Sequence, residues 1–241
     1  QRQVAMERDR RLFISAIAHD LRTPLFSLRG SLEGLEKGIA TTPEKRDRYI
    51  AVAQDKAAVL ERLISDLFTF TRMEYMEEAP NRTLLDLDVF LPHLIEGMRP
   101  RAETNSIHIA LNAASTPVKV EADSHLLTRA VENLLDNALR HTDVGGTVRV
   151  SWWESKSSAS ISIQDTGPGI ADVDLPHLFD PLYRGESSRN RKTGGAGLGL
   201  TIARRIVEAH GGTLVAGNNM DGGAIFTMTL PKERSADHPA V

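Results

Sequence analysis

The chain has 241 residues, 41% hydrophobic and 25% charged, enough for one large domain or two smaller ones with real cores, which excludes disorder as the default. A formal net charge of -3 supplies no basic excess for a phosphate backbone, so nucleic acid is not an expected partner. With no cysteine, disulfides, thiolate catalysis and cysteine-based zinc sites are excluded. No apolar run approaches the roughly 20 residues that span a bilayer. The opening Gln1-Arg2-Gln3 is neither a signal peptide nor an initiator methionine, so the chain reads as an excised soluble fragment.

Apolar residues at Ile17, Leu21, Leu25, Leu28, Leu32, Leu35 and Ile39 recur at spacings of four and three, which predicts a helix from Gln1 to about Gly38 with a coiled-coil-like seam. Thr41-Thr42-Pro43-Glu44 then brings hydroxyl caps, a proline suited to a first helical turn and an early acid, the marks of a new helix start. A second seam through Ala53, Ala57, Leu60, Ile64 and Leu67 carries that helix to about Met76. The two helices make a hairpin whose arms each span roughly 50 Å at about 1.5 Å per residue. One hairpin cannot cover such stripes on all sides. A second copy is the simplest cover, which predicts a homodimer with a four-helix bundle, against the plainer reading of a coiled-coil linker.

His19 sits two positions from both Ile17 and Leu21, about 200° around the helix from each, and so points away from the seam. Asp20 follows it, while Arg22 and Thr23 lie three and four positions on, near the same surface, and Pro24 interrupts the helical hydrogen bonding. A neutral imidazole with one nitrogen held by a carboxylate presents the other nitrogen's lone pair, which is what a nucleophile toward phosphorus needs. Asp20 is the nearest carboxylate. The competing reading is a solvated histidine on a polar helix face.

Residues Glu77-Glu78-Ala79-Pro80-Asn81-Arg82 are polar, lack periodicity and contain a proline, and read as a boundary. Beyond them, β-patterned runs fall at Thr83 to Val89, Ile107 to Leu111, Val118 to Ala122, Thr147 to Trp153, Ala159 to Gln164, Thr213 to Gly217 and Ala224 to Leu230. Helical stretches lie between them at about Phe90 to Thr104, Ser124 to His141 and Leu198 to His210. This mixture predicts an α+β sandwich with helices on one face of the sheet. The tail from Lys232 is expected to be disordered.

Within the second of those helices, Asn133, Asn137, Arg140 and His141 stand within i, i+3 and i+4 reach, opposite a stripe of Leu127, Val131, Leu134 and Ala138. Two amide oxygens and two cationic or neutral donors suit Mg²⁺ together with nucleotide phosphates better than they suit zinc. Alternation in Ala159 to Asp165 turns Asp165 inward with Ile161 and Ile163, where a carboxylate needs a partner such as the exocyclic amine of adenine. Gly167 and Gly169 in the following turn let the backbone pass close to a flat ring, although a carboxylate that merely caps the turn is the simpler alternative. Asp-Thr-Gly also occurs in aspartic proteases, but that chemistry needs two such triplets, and only one is present.

Gly194 to Leu200 is glycine-rich and runs straight into a helix, so backbone N–H groups and a positive helix end converge as an anion site. It lacks the Lys and Ser/Thr of a P-loop and does not follow a strand. Between Ile170 and Gly194, an irregular stretch with Phe179, Tyr183, Arg184, Arg189, Arg191 and Lys192 reads as a mobile basic lid.

Taken in order, His19 to Pro24, Asn133 to Asn137, Asp165 to Gly169, Phe179 to Arg184 and Gly195 to Leu200 resemble the histidine, asparagine, first glycine, phenylalanine and second glycine boxes of sensor histidine kinases. The resemblance spans nearly the whole chain. It implies a dimerisation and phosphotransfer hairpin (1–78), a linker (79–82) and an ATP-binding domain (83–231) of the type shared with gyrase, Hsp90 and MutL. It makes His19 the phospho-acceptor, Asp20 its base, Asn137 the main Mg²⁺ ligand with Asn133 beside it, and Asp165 the adenine contact. Arg140, His141 and the loop of Gly195, Gly197, Leu198 and Gly199 then serve the phosphates of ATP, with Tyr183 and Arg184 in the lid beside them. Similarity to phosphatase-competent members adds a role for Thr23 in holding a water against a phosphorylated regulator. The sequence departs from the commonest pattern at Asp20 (Glu), Arg140 (Lys), Leu182 (Phe) and Ala196 (Ser or Thr), the last removing a hydroxyl from the phosphate loop. The family further implies a response regulator receiver domain as acceptor and an upstream membrane-anchored sensor, which makes this fragment its cytoplasmic portion. A gyrase-like or Hsp90-like ATPase and a catalytically silent scaffold are the alternatives. The ATPase would need a water-activating carboxylate, and Asn133 occupies that place, with Glu132 about 100° away around the helix.

Overall fold

The computed structural model describes residues 2–75, 79–183, 185, 197–220 and 222–232. They divide into two compact units, the first comprising described residues of 1–75 and 181–198, the second those of 76–180 and 199–241. The end of the hairpin at Met76 to Glu78 and the tail beyond Lys232 lie outside the described residues. No helix among the described residues is long and apolar enough to cross a membrane.

The first unit holds helices α1 (Arg2–Glu36) and α2 (Pro43–Tyr75), the hairpin expected from the two seams. Helix α1 continues through Pro24, whose missing N–H removes one ladder bond, the one that the Asp20 carbonyl would have accepted. Gly38 ends it at a φ of 65°, with the N–H groups of Ile39 and Gly38 donating to the carbonyls of Gly34 and Leu35 at 2.9 and 3.2 Å. That pairing is a Schellman cap, and a left-handed residue there favours glycine. Helix α2 starts as its sequence suggests, with the Thr42 hydroxyl accepting from the Lys45 N–H at 3.3 Å and Pro43 in the first turn. Hydrogen bonds from its own backbone and then from Thr42 hold the Glu44 carboxyl below its usual range.

The arms approach closely where Gly34 meets Tyr49. A Cβ on Gly34 would lie 2.3 Å from the Tyr49 ring, so only glycine lets that ring rest on the α1 backbone. The seam itself divides. Ile17 is buried and Leu21, Leu28 and Leu35 are half-buried, but Leu25, Leu32 and Ile39 are 51%, 52% and 57% exposed. On α2, Ala53 and Leu63 are buried while Ile64 and Phe68 are exposed. Each arm thus buries one edge of its stripe against the other arm and leaves the second edge bare.

The second unit runs β1 (Thr83–Asp86), α3 (Leu87–Thr104), β2 (His108–Ala113), β3 (Lys119–Ala122), α4 (Ser124–His141), β4 (Thr147–Glu154), β5 (Ser158–Asp165), a single 3-10 turn at Leu175–His177, α5 (Gly199–Ala209), β6 (Thr213–Asn218) and β7 (Ala224–Pro231). Strands β1 and β3 pair antiparallel as a small ladder. The main sheet has the order β2-β4-β5-β7-β6, parallel only between β2 and β4. Alternation along its strands puts Val148, Val150, Trp152, Ile161, Ile163, Phe226, Met228 and Leu230 inside, and the helices pack on that sheet, α3 on β2, α4 on β4 and β5, α5 on β6 and β7.

One predicted boundary is corrected. The strand expected over Thr83 to Val89 stops at Asp86, and Leu87 to Val89 form the first turn of α3. The alternation Leu-Asp-Leu-Asp imitates a strand, but the Asp86 side chain accepts from the Asp88 N–H at 3.0 Å and so caps a helix. Asp88 in turn takes the Trp152 indole N–H at 2.9 Å and the Val118 N–H at 2.8 Å, which satisfies a buried tryptophan at the edge of the core.

Candidate functional site

Helix α4 is fixed at its start by Asp123, whose carboxylate accepts from the His125 and Leu126 N–H groups at 3.1 Å each. Its predicted stripe of Leu127, Val131, Leu134 and Ala138 is fully buried, which orients the polar edge. On that edge Asn133 is 8% exposed and Asn137, Arg140 and His141 are half-buried. Glu132 points elsewhere and lies 4.0 Å from Arg129. Among the described residues the Asn133 Nδ2 has no hydrogen-bond partner although it is buried. A buried amide without a partner is costly in the isolated protein, roughly 1–3 kcal/mol, and marks a place where a ligand atom belongs.

The second wall comes from the end of β5. Asp165 is 1% exposed, pointing inward as the alternation requires, and its Oδ1 accepts from the Gly167 N–H at 2.9 Å and from the Ala224 N–H at 3.1 Å. The turn-capping role is therefore present, but it uses one oxygen and leaves Oδ2 for a ligand's N–H. Glycine is required next to it, because a Cβ on Gly167 would lie 2.4 Å from the His141 carbonyl oxygen. That contact seats the Asp165 turn directly on the C-terminal end of α4. The turn continues through Gly169, at a φ of 77°, to Ile170, whose N–H and C=O are both bonded by the Asn218 side chain at 2.7 Å.

The third wall is α5, which begins at Gly199, where the first N–H groups of a helix have no partner within the helix itself. A Cβ on Gly199 would be 3.5 Å from the Asn133 Oδ1, so the start of α5 lies beside the asparagine edge of α4. Phe179 is fastened to the same helix, its carbonyl accepting from the buried Thr201 hydroxyl at 3.0 Å and its ring lying 5.4 Å under the Arg204 guanidinium.

Of the residues singled out in the sequence, Asn133, Asn137, Arg140, His141, Asp165, Gly167, Gly169 and Gly199 belong to this unit, and the contacts above bring Asn133 to Gly199 and His141 to Gly167. Tyr183, Gly197 and Leu198 belong to the first unit. There the Leu182 N–H donates to the Gly197 carbonyl at 3.1 Å, both residues having left-handed backbones with φ of 64° and 67°. Leu198 is buried and Tyr183 half-buried. Arg184 and Gly195 lie outside the described residues, as do Arg189, Arg191, Lys192, Gly194 and Ala196. Asn218, Thr201 and Ala224 were not legible as site residues, since each acts through a backbone group remote in sequence.

His19, in the first unit, is exposed, and Asp20 beside it is half-buried. Thr23 is exposed, with its hydroxyl 3.5 Å from the His19 carbonyl oxygen, the outer limit for a hydrogen bond back to its own helix.

Comparison with known proteins finds two family matches in the chain. Residues 9–75 match the His Kinase A (phospho-acceptor) domain, and residues 122–234 match the family described as histidine kinase-, DNA gyrase B-, and HSP90-like ATPase. The signal transduction histidine-protein kinase BaeS of Escherichia coli (strain K12) is 35% identical over 93% of this chain and 47% of its own length. The chain spans under half the length of the curated relatives BaeS, WalK and SrrB. Among solved structures, the Acinetobacter baumannii histidine kinase AdeS superposes with a TM-score of 0.71 at 27% identity, covering 90% of this chain and 98% of that one. Full-length ShkA in complex with AMPPNP gives a TM-score of 0.68 at 27% identity over 92% of this chain and 46% of that one.

Proposed function

The chain belongs to the sensor histidine kinases, and from that membership we propose that it transfers the γ-phosphoryl group of ATP to an imidazole nitrogen of His19 and then to an aspartate of a response regulator's receiver domain. In the first step the bond between the γ-phosphorus and its bridging oxygen breaks, ADP leaves, and the His19 lone pair forms the N–P bond. Asp20 takes the proton from the second ring nitrogen as positive charge develops there. Exposure of His19 supports the assignment, because both the nucleotide and the receiver domain must reach it.

The observation that carries the nucleotide half of this reading is the presence in one unit of two incompletely satisfied groups, the Asn133 Nδ2 donor on α4, which calls for an acceptor such as a phosphate oxygen, and the Asp165 carboxylate, whose turn sits on the C-terminal end of that helix. Asp165 Oδ2 accepts the exocyclic amine of adenine, and Gly167 and Gly169 let the ring approach. Asn137 and Asn133 hold Mg²⁺ through their side-chain oxygens, a donor set suited to a hard cation that shares its shell with phosphates. Magnesium, when bound, neutralises charge on the phosphate oxygens. Arg140, His141, Gly195, Gly197, Leu198 and the amides at Gly199 serve the phosphates, with Tyr183 and Arg184 in the adjoining segment. ShkA, solved with AMPPNP, supports an adenine nucleotide here.

Asp165→Asn should weaken ATP binding by about 1.5–3 kcal/mol, or roughly 10- to 150-fold, because a hydrogen bond to a charged acceptor is replaced by a weaker one. GTP should bind poorly to the unaltered chain, since its carbonyl would face the carboxylate. Calorimetric titration checks both, and equal affinities for ATP and GTP would remove the adenine-reading role.

The hairpin (1–78) is proposed as the dimerisation and phosphotransfer domain, residues 79–82 as the link and 83–231 as the ATP-binding domain. The bare edge formed by Leu25, Leu32, Ile39, Ile64 and Phe68 supports a homodimeric four-helix bundle. Each such side chain is already about half covered, so covering the rest contributes about half of the roughly 1.5–3 kcal/mol of full burial. An upstream membrane-anchored sensor, with this part on the cytoplasmic side, is proposed from family membership, the relatives BaeS and WalK being longer than this chain. Thr23, exposed and only loosely held by its own helix, is proposed to position water against the phosphorylated aspartate of a docked regulator. Thr23→Ala should keep labelling of His19 and transfer to the regulator while losing regulator dephosphorylation. Dephosphorylation at the original rate would leave Thr23 a structural residue.

A further inference from the structure

His210 lies at the far end of α5 from Gly199 and is 2% exposed, yet both ring nitrogens have partners. Its Nδ1 is 2.7 Å from the Ile206 carbonyl, which can only accept, and its Nε2 is 3.0 Å from the Asp123 backbone nitrogen, which can only donate. These partners fix a neutral imidazole with the proton on Nδ1. The chain direction is fixed there too. Gly211, at a φ of 76°, and Gly212 cap α5 by donating to the carbonyls of Glu208 and Val207, and a Cβ on Gly212 would lie 2.3 Å from the Thr229 carbonyl.

Asp123 is the N-cap of α4, so the Nε2 bond joins the C-terminal end of α5 to the N-terminal end of α4. The entering segment is tied to the same point, with the Asn81 N–H donating to Asp123 Oδ2 at 3.1 Å and Arg82 to the Ala209 carbonyl at 3.2 Å. The N-terminal end of α5 meets the middle of α4, where a Cβ on Gly199 would lie 3.5 Å from the Asn133 Oδ1. Ten residues separate Asp123 from Asn133 and eleven separate Gly199 from His210, each about 15–16.5 Å at roughly 1.5 Å per residue, so the two spans match. Between them α5 presents Ile202, Ala203, Ile206 and Val207, all fully buried. Apolar burial is non-directional, whereas the bonds from the Asp123 N–H to His210 and from Arg82 to the Ala209 carbonyl are directed and fix this end of α5.

We propose that His210 is a positioning residue for the nucleotide phosphates, its neutral imidazole clasping α5 in register with α4 so that the first N–H groups of α5 stand beside Asn133. The inference rests on the reading of this pocket as a nucleotide site. It confines the effect of His210 to the phosphate end, because adenine is read by Asp165 on β5.

The test compares ATP and adenosine affinities of the full chain, by calorimetry and NMR titration, in wild type, His210→Asn and His210→Gln. An asparagine amide reproduces the Nδ1 donor within α5 but cannot reach Asp123, whereas a glutamine oxygen reproduces the Nε2 acceptor. His210→Asn should lose ATP affinity by roughly 5- to 150-fold, the span for leaving one buried donor without a partner, with adenosine affinity unchanged. His210→Gln should restore ATP affinity. An asparagine variant that binds ATP like wild type, or that loses ATP and adenosine equally, overturns the inference while the nucleotide reading stands. Wild type that binds neither compound overturns the nucleotide reading and this inference with it. If His210→Asn does not fold, amide exchange in wild type decides: ATP but not adenosine must slow exchange of the Asp123 N–H, since coupling is reciprocal, and no difference between them overturns the clasp.

Discussion

Replacing His19 with glutamine is expected to abolish self-phosphorylation while leaving ATP affinity and the hairpin intact. The side chain is exposed on α1, so its replacement by another polar residue of similar size disturbs no packing, and a stability change within about 0.5 kcal/mol is the ordinary result at such a position. Asn133, Asn137 and Asp165, proposed to hold the nucleotide, belong to the other unit. What is lost is chemistry. An amide nitrogen has its lone pair delocalised into the carbonyl and cannot attack phosphorus as imidazole does. Label transfer from ATP together with calorimetric ATP affinity checks both halves. A variant that still takes up label at the wild-type rate would place the acceptor elsewhere.

Asp20→Asn should slow labelling roughly 10²- to 10⁴-fold, the usual range for losing a general acid or base, with ATP affinity unchanged. Asparagine keeps the shape and can still accept a hydrogen bond, so it separates proton acceptance from simple orientation of the ring. Asp20 is half-buried next to an exposed His19, and its carbonyl lies one turn before Pro24, where the helix ladder lacks a donor. Single-turnover rates at saturating ATP isolate this step from binding. An unchanged rate would remove Asp20 from the chemistry and leave it a helix-surface residue.

Much of this was legible because it is local. The seams of the hairpin, the Thr42-Pro43-Glu44 start, the buried stripe of α4 and the inward turn of Asp165 all follow from periodicity and cap chemistry within a few residues. The same rule misread Thr83 to Val89, where the Leu-Asp alternation has strand period and only the Asp86 cap reveals a helix. Periodicity also marks a seam without saying which of its edges a neighbouring arm covers, so the exposure of Leu25, Leu32 and Ile39 was visible only in three dimensions. Least legible were Asn218 and His210. They act on backbone groups 48 and 87 residues away, and no local pattern announces such a pairing.

If His19 receives the γ-phosphoryl group of ATP, the product is a phosphoramidate, which acid hydrolyses and base spares. Incubating the chain with Mg²⁺ and γ-labelled ATP, then treating the product with acid and with base, tests it most directly. The expected result is label on the chain that is lost in acid, survives base and is absent from the His19→Gln variant. Acid-stable label, or release of phosphate without any label on the chain, would contradict it.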